Sequence, residues 1–425
     1  MLIFFALISF AAEPSTRPVY DLKKAIEYAV EHAPAIDVAR LEVQIQERSR
    51  KNALARFFPS LDFTARSGLN NSPSLTSLPD QTYGTATLGV TENLYDNGQS
   101  FWNFSLARLQ ETRAEIEFEK VRSRLTLDVA HEFYTYSLNT RLTEIRGKQV
   151  TLLQTQLRTV ESQYRQGMRT RRDYLRFKTQ YQRAEIALIS AENAQKTSET
   201  ELMRILGAPP EVITEGGTST FPFLPIEEKR KRPPLPEALP KIDAHFEARI
   251  ARVSTEINEV QVGLARRKWL PNLTLQGNAG WSPGSFQPNP GFSWDVGVQL
   301  TYNLWDWGIL RREWKQAELK RGQGNDGLRQ SVQQAGSDIQ KLMLDFARIR
   351  KNFDLSLELL ELEEESYESL NSEYRLGRAA YLDLITALDS LFNARTTYAN
   401  SYFSVLESLA KYHYHQGDLY EALTK

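Results

Sequence analysis

The side chains that most often perform catalysis or bind metals are scattered along this 425-residue sequence. It has no cysteine and five histidines, and only His413 and His415 are close neighbours. Positions i and i+2 of a helix point to different faces, so this pair predicts exposed or interfacial histidines rather than metal ligands. No phosphate loop, nucleophile elbow or zinc-binding helix signature occurs. We therefore predict no enzymatic activity, no cofactor and no metal site.

Charge and hydropathy exclude further classes of protein. The 52 basic and 53 acidic residues leave a net charge of −1, so there is no basic field for nucleic acid. No apolar run reaches the roughly 18 residues that a transmembrane helix needs. The absence of cysteine also excludes a disulfide framework and a lipidated N-terminal cysteine.

The stretch from Phe292 to Gly308 begins with a two-residue period that runs as far as Leu304. One row is apolar, and the other consists of Ser, Asp, Gly, Gln, Thr and Asn. This pattern is typical of a two-faced β-strand. Because the chain has no other β-rich region to cover the apolar face, we predict a barrel strand with lipid on one side and water on the other.

Similar patterns predict three more strands, at 61–69, 82–95 and 272–281. Aromatic residues gather at the strand ends, as a membrane-interface girdle requires, although four ordinary edge strands are the alternative. Four strands cannot close a barrel in lipid, so several chains must share one. Two chains would give eight strands and a filled interior, whereas three would give twelve and a lumen. The polar inward rows favour the trimer.

The chain consists of two copies of one plan. Leu94–Gly98 (LYDNG) corresponds to Leu304–Gly308 (LWDWG), and Tyr164–Gly167 (YRQG) corresponds to Tyr374–Gly377 (YRLG), both at an offset of 210 residues. Each copy predicts a helix, a strand, a loop, a strand, a long helix, a turn and a helix.

The joints between these elements have local signals. Pro59 and Pro271 are expected to close the helix that precedes each hairpin of strands. Asp96 and Asp306 are expected to cap the helix that follows, by accepting hydrogen bonds from its first N–H groups.

Each hairpin of strands is followed by about 67 residues without proline, which predict helices about 100 Å long. Gly322, Gly324 and Gly327 interrupt the second of these stretches, at a cost of roughly 1 kcal/mol each relative to alanine. We therefore expect a local break or bulge there.

The predicted fold is mainly α with a membrane β-barrel. Each protomer has four antiparallel strands, and two long helices beside stacked shorter helices, in an internal two-fold repeat. The predicted boundaries begin with a signal-like segment at 1–12 and an equatorial segment at 13–34. Repeat 1 consists of a helix at 35–56, a strand hairpin at 57–96 and a helical hairpin at 97–206, and a proline-rich equatorial linker follows at 207–243. Repeat 2 consists of a helix at 244–269, a strand hairpin at 270–306 and a helical hairpin at 307–416, and the chain ends in a tail at 417–425.

The segment Met1 to Ala12 is apolar and has small residues at its end, as in a secretory signal, but it lacks a basic N-terminal region. A short buried strand is the alternative.

These motifs, in this order and spacing, resemble the outer membrane efflux protein (TolC) family over essentially the whole mature chain. The resemblance implies a homotrimer whose twelve-stranded barrel in the outer membrane of a Gram-negative cell is continuous with a periplasmic α-helical barrel. It also implies a passive exit duct for a tripartite efflux pump or a type I secretion system. The implied partners are the lipid bilayer, a periplasmic adaptor (membrane fusion) protein and an inner-membrane transporter.

By this resemblance, the turns after the YxxG motifs form the closed periplasmic entrance. Asp173 and Asp383 match aspartates that ring or brace the constriction, and Tyr374 matches a tyrosine that locks the coils. Thr386 and Ala379 depart from the family pattern, which implies a weaker electrostatic gate or a lock rebuilt from arginines. The candidates for that rebuilt lock are Arg172, Arg375 and Arg378.

The residues expected to contact the adaptor at the tip of the hairpins are Arg165, Gly167, Met168, Arg375, Leu376, Gly377 and Arg378. The competing class is a pore-less secreted or periplasmic coiled-coil protein, structural or adhesive. It would explain the long helices but not four amphipathic strands in a paired repeat. Within the duct interpretation, small-molecule efflux and protein secretion stay open.

Overall fold

The computed structural model describes residues 19–70, 81–208, 222–234, 236, 238–282, 291–376 and 378–425. The predicted signal-like segment and residues 209–221, 235 and 237 of the linker lie outside the described residues. The described helices are α1 (Leu22–His32), α2 (Pro34–Ala55), α3 (Gln99–Arg165), α4 (Arg171–Ile205), α5 (Phe246–Arg267), α6 (Ile309–Arg375), α7 (Tyr381–Gln416) and α8 (Leu419–Thr424), with a 3₁₀ turn at Ile242–Ala244. The strands are β1 (Ser60–Asn70), β2 (Gln81–Tyr95), β3 (Asn272–Ser282) and β4 (Gly291–Thr301). The prediction of a mainly helical chain with four antiparallel strands is confirmed.

The chain divides into two compact units. Unit 1 contains Met1–Val38, Glu119–His245 and Ala335–Lys425, and unit 2 contains Ala39–Phe118 and Phe246–Gln334.

The strands of unit 2 form one sheet in the order β1-β2-β3-β4, and every neighbouring pair is antiparallel. The alternating pattern predicted a strand as far as Leu304, but β4 ends at Thr301, which pairs with Asn272 at the start of β3. The ladder stops there because the next residue of the partner strand is Pro271, which has no N–H to donate. The apolar row of β4 is exposed throughout, and Val298, for example, is 59% exposed.

Two sharp corners in unit 2 connect strands to long helices. The Asp96 carboxylate accepts hydrogen bonds from the N–H groups of Gly98 (2.9 Å) and Ser100 (2.7 Å). Asp306 does the same for Gly308 (2.9 Å) and Leu310 (2.7 Å). The predicted capping role of both aspartates is confirmed.

The residue after each aspartate has a left-handed backbone, with φ of 60° at Asn97 and 56° at Trp307. Asparagine tolerates this conformation, but it is strained for tryptophan. The Asn97 side chain also donates hydrogen bonds to the carbonyls of Leu270 and Pro271, both at 3.0 Å. The first corner is therefore bonded to the chain that enters β3.

The prediction of a local break or bulge at Gly322 to Gly327 is wrong, because α6 is continuous from Ile309 to Arg375. A Cβ atom at Gly324 would overlap the side-chain amide of Asn258 on α5. Gly324 thus permits close packing of α5 against α6, and tertiary packing outweighs the low helix propensity of glycine.

The core of unit 1 joins both helical hairpins. One buried cluster combines Leu127 and Tyr134 of α3 with Phe353 of α6 and Tyr398 of α7. A second cluster, nearer the turns, joins α3, α4 and α7 through residues such as Leu153, Ala184 and Leu388. Burial of these apolar side chains stabilises the contact between the hairpins.

Residues 222–232 of unit 1, which we name the strap, cross both hairpins. Phe223 pairs with Tyr20, and the Ile226 N–H donates to Ser137 Oγ of α3 at 3.0 Å. Arg141 of α3 forms an ion pair with Glu228, and the Tyr398 hydroxyl of α7 donates to the Lys229 carbonyl, both at 2.5 Å. Arg230 pairs with Glu364 of α6 at 2.8 Å.

Candidate functional site

The turns of the two helical hairpins, both in unit 1, share one backbone hydrogen bond. The Met168 N–H donates to the Gln163 carbonyl, and the Arg378 N–H donates to the Glu373 carbonyl, each at 2.9 Å. Gly167 has a φ of 75°, a left-handed conformation that favours glycine at a helix C-terminus. Gly377 lies outside the described residues.

The side chains predicted to contact an adaptor lie on these turns. Arg165 and Arg375 are the last residues of α3 and α6, and both are exposed. Arg165 forms an ion pair with Glu161 at 2.6 Å. The other exposed side chains are those of Leu376 and Arg378, and Met168 is also exposed at 64%.

Asp173 is part of a capping box at the start of α4. Its N–H donates to Thr170 Oγ1 at 3.2 Å, and its carboxylate accepts hydrogen bonds from the Thr170 hydroxyl at 2.7 Å and the Thr170 N–H at 3.4 Å. The hydrogen bond from the Thr170 hydroxyl is the main reason that the pKa of Asp173 is below its ordinary value. The carboxylate therefore stabilises the helix N-terminus.

Asp383 occupies the matching position of α7, but its surroundings differ. The N-cap residue there is Ala380, which has no side chain that could form a capping hydrogen bond. Asp383 is exposed, and within the described part of the chain its carboxylate forms no hydrogen bond or ion pair.

Tyr374, near the end of α6, contacts the other hairpin through Arg169. The Arg169 guanidinium donates to the Tyr374 hydroxyl at 3.2 Å and lies over its ring, 6.0 Å from the centroid. The Nε–H of Arg169 also donates to Gln163 Oε1 at 3.2 Å. The three arginines proposed from the sequence, Arg172, Arg375 and Arg378, form no such contact in the described residues.

Tyr381 lies near both Tyr374 and Asp173. Its ring centroid is 6.4 Å from that of Tyr374 and 3.7 Å from that of Phe177 on α4. Burial raises the pKa of Tyr381 above its ordinary value, and the nearby Tyr374 and Asp173 raise it further. The structure thus brings Asp173, Arg169, Tyr374 and Tyr381 together, whereas no bond in the described residues joins Asp383 to them.

Sequence reasoning missed Arg169, Tyr381 and Phe177. The one available signal was the position of Arg169, directly before the Thr170 N-cap, where a long basic side chain can reach the neighbouring hairpin.

The two neighbouring histidines are held apart, as their spacing predicted. His413 contacts Asp418 at 2.9 Å, and the His415 ring stacks on that of His245 with 5.3 Å between centroids. Burial is the first cause that lowers the pKa of His415. The described residues contain no group of three or more acidic, histidine or cysteine side chains suited to a metal ion.

In the ranges that the structure describes, no helix has both the length and the apolar character to cross a bilayer.

The sequence is similar to proteins of two transport processes. It is 22% identical over 407 residues to the solvent efflux pump outer membrane protein SrpC of Pseudomonas putida. This alignment covers 91% of this chain and 83% of that protein. It is 21% identical over 415 residues to the alkaline protease secretion protein AprF of Pseudomonas aeruginosa, covering 93% and 84% respectively.

The fold is similar to those of solved outer-membrane proteins. The outer membrane protein VceC of Vibrio cholerae gives a TM-score of 0.77 at 18% identity, covering 94% of this chain and 96% of that one. The Campylobacter jejuni CmeC channel gives 0.79 at 14% identity, covering 94% and 86%. The sequence profile of the outer membrane efflux protein family matches residues 25–208 and 247–411, so this chain belongs to that family.

Proposed function

We propose that this chain is the outer-membrane exit duct of a tripartite efflux pump or a type I secretion system, and that it works as a homotrimer. The observation that carries the proposal is the sheet of unit 2. Its apolar row is exposed, and in the described residues neither β1 nor β4 has a partner on its outer edge. A sheet of this kind is stable in lipid only when other copies close it.

Three copies would give twelve strands, enough for a water-filled lumen. Alternation along β4 would place Val298 toward lipid and its neighbour Gln299 toward water. Gln299 also accepts a hydrogen bond from Gln276 of β3 at 2.8 Å, which fits a polar inner wall.

The internal two-fold repeat is part of this proposal. Helices α3 and α6 each have 67 residues, and their first residues, Gln99 and Ile309, are 210 positions apart. The two aspartate corners also have matching hydrogen-bond lengths. These agreements support an internal repeat, in which each copy has the domain boundaries predicted from the sequence.

The turns of the helical hairpins are the proposed periplasmic gate. In this proposal Tyr374 and Arg169 hold the hairpins together, while Asp383, and to a lesser degree Asp173, present carboxylates to the pore. Three symmetry-related carboxylates in a narrow pore attract cations. The exposed turn residues are the proposed contact with a periplasmic adaptor, and an inner-membrane transporter would supply the energy. Because relatives serve both solvent efflux and protease secretion, the pump is expected to select the cargo.

Two substitutions on opposite faces of β4 test this function. Val298→Arg should reduce the amount of heat-modifiable trimer in outer-membrane fractions, since an arginine facing lipid at midplane costs about 2 to 4 kcal/mol. Gln299→Arg is the matched control and should assemble well. Equal assembly of both variants, or a monomer in the soluble periplasmic fraction, would contradict the duct.

A further inference from the structure

The junction between the sheet and the helices of unit 2 carries more positive charge than the rest of the chain. It comprises residues 53–59, 96–101, 265–271 and 302–312, which connect the strands to α2, α3, α5 and α6. Six basic and two acidic residues occur there, whereas acidic residues outnumber basic ones by one in the whole chain. The basic residues are Arg56, Arg266, Arg267, Lys268, Arg311 and Arg312. A surface of this charge attracts anions.

The second corner, from Trp305 to Arg312, also exposes two tryptophans. The side chains of Trp305 and Trp307 are 73% and 80% exposed, and their rings lie edge to face with 5.8 Å between centroids. Amphipathic rings of this kind belong at the interface between a bilayer and water. Such rings are expected in any membrane barrel, so they mark the surface of the bilayer without selecting a lipid.

Trp307 has a backbone conformation that is unfavourable for tryptophan. Its φ of 56° is left-handed, and the matching residue of the first corner is Asn97, which tolerates this conformation. Because the Trp307 ring is exposed, burial within the protomer does not offset the strain. Backbone strain of this kind is concentrated at functional sites. A tryptophan at this position is therefore explained better by a contact outside the protomer than by folding.

Two arginines follow Trp307 in the first turn of α6, and both are exposed. Arg312 donates a hydrogen bond to the Trp307 carbonyl at 3.1 Å, which holds its guanidinium at the corner. Among the described residues, neither Arg311 nor Arg312 forms an ion pair, whereas Lys268 of the same junction is paired with Glu313 at 2.8 Å. A guanidinium without a counter-charge can bind phosphate through two parallel hydrogen bonds.

The first corner lacks these arginines. After Asp96 the next basic residue is Arg108, twelve positions later, whereas Arg311 follows Asp306 by five positions. In both corners the aspartate accepts hydrogen bonds from N–H groups at the start of the helix. An anion at the second corner would therefore be bound by arginine side chains rather than by the helix N-terminus.

We propose that the second corner binds the headgroup of an anionic phospholipid, of the phosphatidylglycerol type, in the leaflet nearer the helices. Arg311 and Arg312 bind the phosphate, and Trp305 and Trp307 pack against the glycerol and the first methylene groups. A zwitterionic headgroup is disfavoured, because its own cation would approach arginines that have no counter-charge. This inference rests on the proposed duct, since the corner meets a bilayer only if the sheet spans one.

Lipid retention by the purified trimer tests this site. Native mass spectrometry in detergent should show that the natural trimer retains phosphatidylglycerol in preference to phosphatidylcholine with the same acyl chains. Arg311→Gln with Arg312→Gln should lower the affinity for phosphatidylglycerol by roughly fivefold per lost charge and leave that for phosphatidylcholine unchanged. Lys320→Gln with Arg321→Gln is the matched control, since it removes two exposed charges from the same helix about 14 Å farther from the corner.

The strain at Trp307 gives a second readout. Trp307→Asn should leave the dissociation temperature of the lipid-free trimer unchanged or higher, because asparagine suits the left-handed backbone. The increase in this temperature on addition of phosphatidylglycerol should become smaller, since one of the two rings is lost. A lower temperature without lipid would mean that the ring packs against protein, such as a neighbouring subunit, and would overturn the lipid site.

The remaining outcomes separate this site from the duct. Trimers that retain both lipids equally, or whose lipid preference survives in the arginine variant, would overturn the lipid site and leave the duct intact. A chain that is monomeric by native mass spectrometry and absent from outer-membrane fractions would overturn the site and the proposed function together.

Discussion

The two hairpin turns share one backbone hydrogen bond but differ in side-chain chemistry. At the first turn, Thr170 and Asp173 form a capping box, and Arg169 reaches across to Tyr374. At the second turn, Ala380 cannot form a side-chain cap, and Asp383 has no partner among the described residues. Aspartates at equivalent positions therefore differ in role: Asp173 stabilises a helix, and in the proposed gate Asp383 would face the pore. In that proposal the first turn is the fixed part, and the second turn is the part that moves.

Among the substitutions that probe the difference between the two turns, Arg169→Ala is expected to have the largest effect, which is on channel opening. This substitution removes the hydrogen bond from Arg169 to Tyr374 of the other hairpin, and a hydrogen bond to a charged group contributes about 1.5 to 3 kcal/mol when well shielded. Single channels in planar bilayers should open roughly tenfold more often. Arg172→Ala is the control, since Arg172 makes no contact with Tyr374, and equal behaviour of both variants would remove Arg169 from the lock.

Exchange of the caps should change helix stability in opposite directions. Thr170→Ala should destabilise the start of α4 by about 1 kcal/mol, since the N-cap hydrogen bond is lost. Ala380→Thr should stabilise the start of α7 by a similar amount, because Asp383 would then complete a capping box. Amide hydrogen exchange at residues 171–175 and 381–385 measures both changes. An unchanged exchange rate in Ala380→Thr would mean that the second turn cannot adopt the capped geometry.

A smaller effect is expected on ion selectivity. Asp383→Asn should lower cation selectivity and cation block in planar-bilayer recordings, since a free carboxylate is removed. Asp173→Asn should change selectivity less, because that carboxylate is bonded to Thr170. If the two variants rank in the reverse order, the assignment of roles to the two aspartates is wrong.

The smallest effect is on the response to acid. The pKa of Asp173 is lowered in the folded state, so its stabilising contribution is present above the ordinary pKa of aspartate and is lost as pH falls through the folded value. Hydrogen exchange at the start of α4, corrected for intrinsic rates, should therefore increase in strong acid. Asp173→Asn should abolish this dependence, and a persistent dependence would assign it to another group.

Much of this architecture could be predicted from the sequence because its signals are local. The two-residue period predicted β4 from Phe292 onward, and Asp96 and Asp306 predicted helix caps. Thr170 and Asp173 have the spacing of a capping box, so this feature was also readable, although the prediction assigned Asp173 to the gate alone.

The parts that could not be predicted depend on tertiary contacts. Nothing near Tyr374 in the sequence indicates that its partner is Arg169, 205 positions away. The glycines at 322–327 predicted a break because helix propensity is a local property of the sequence. The contact that requires glycine at 324 is with Asn258, which is distant in the sequence, so no local signal indicates it. The limit of β4 at Thr301 likewise depends on where its partner strand begins.

The strap described above has a mechanical consequence. It is bonded to α3 at Arg141, to α7 at Tyr398 and to α6 at Glu364, so it connects the two hairpins at three points. Counted along the helices, these points lie about 36, 26 and 17 Å from the hairpin turns. Contacts spread over this length resist tilting of one hairpin against the other, so in the proposed gate the motion would be confined to the part of the hairpins between the strap and the turns.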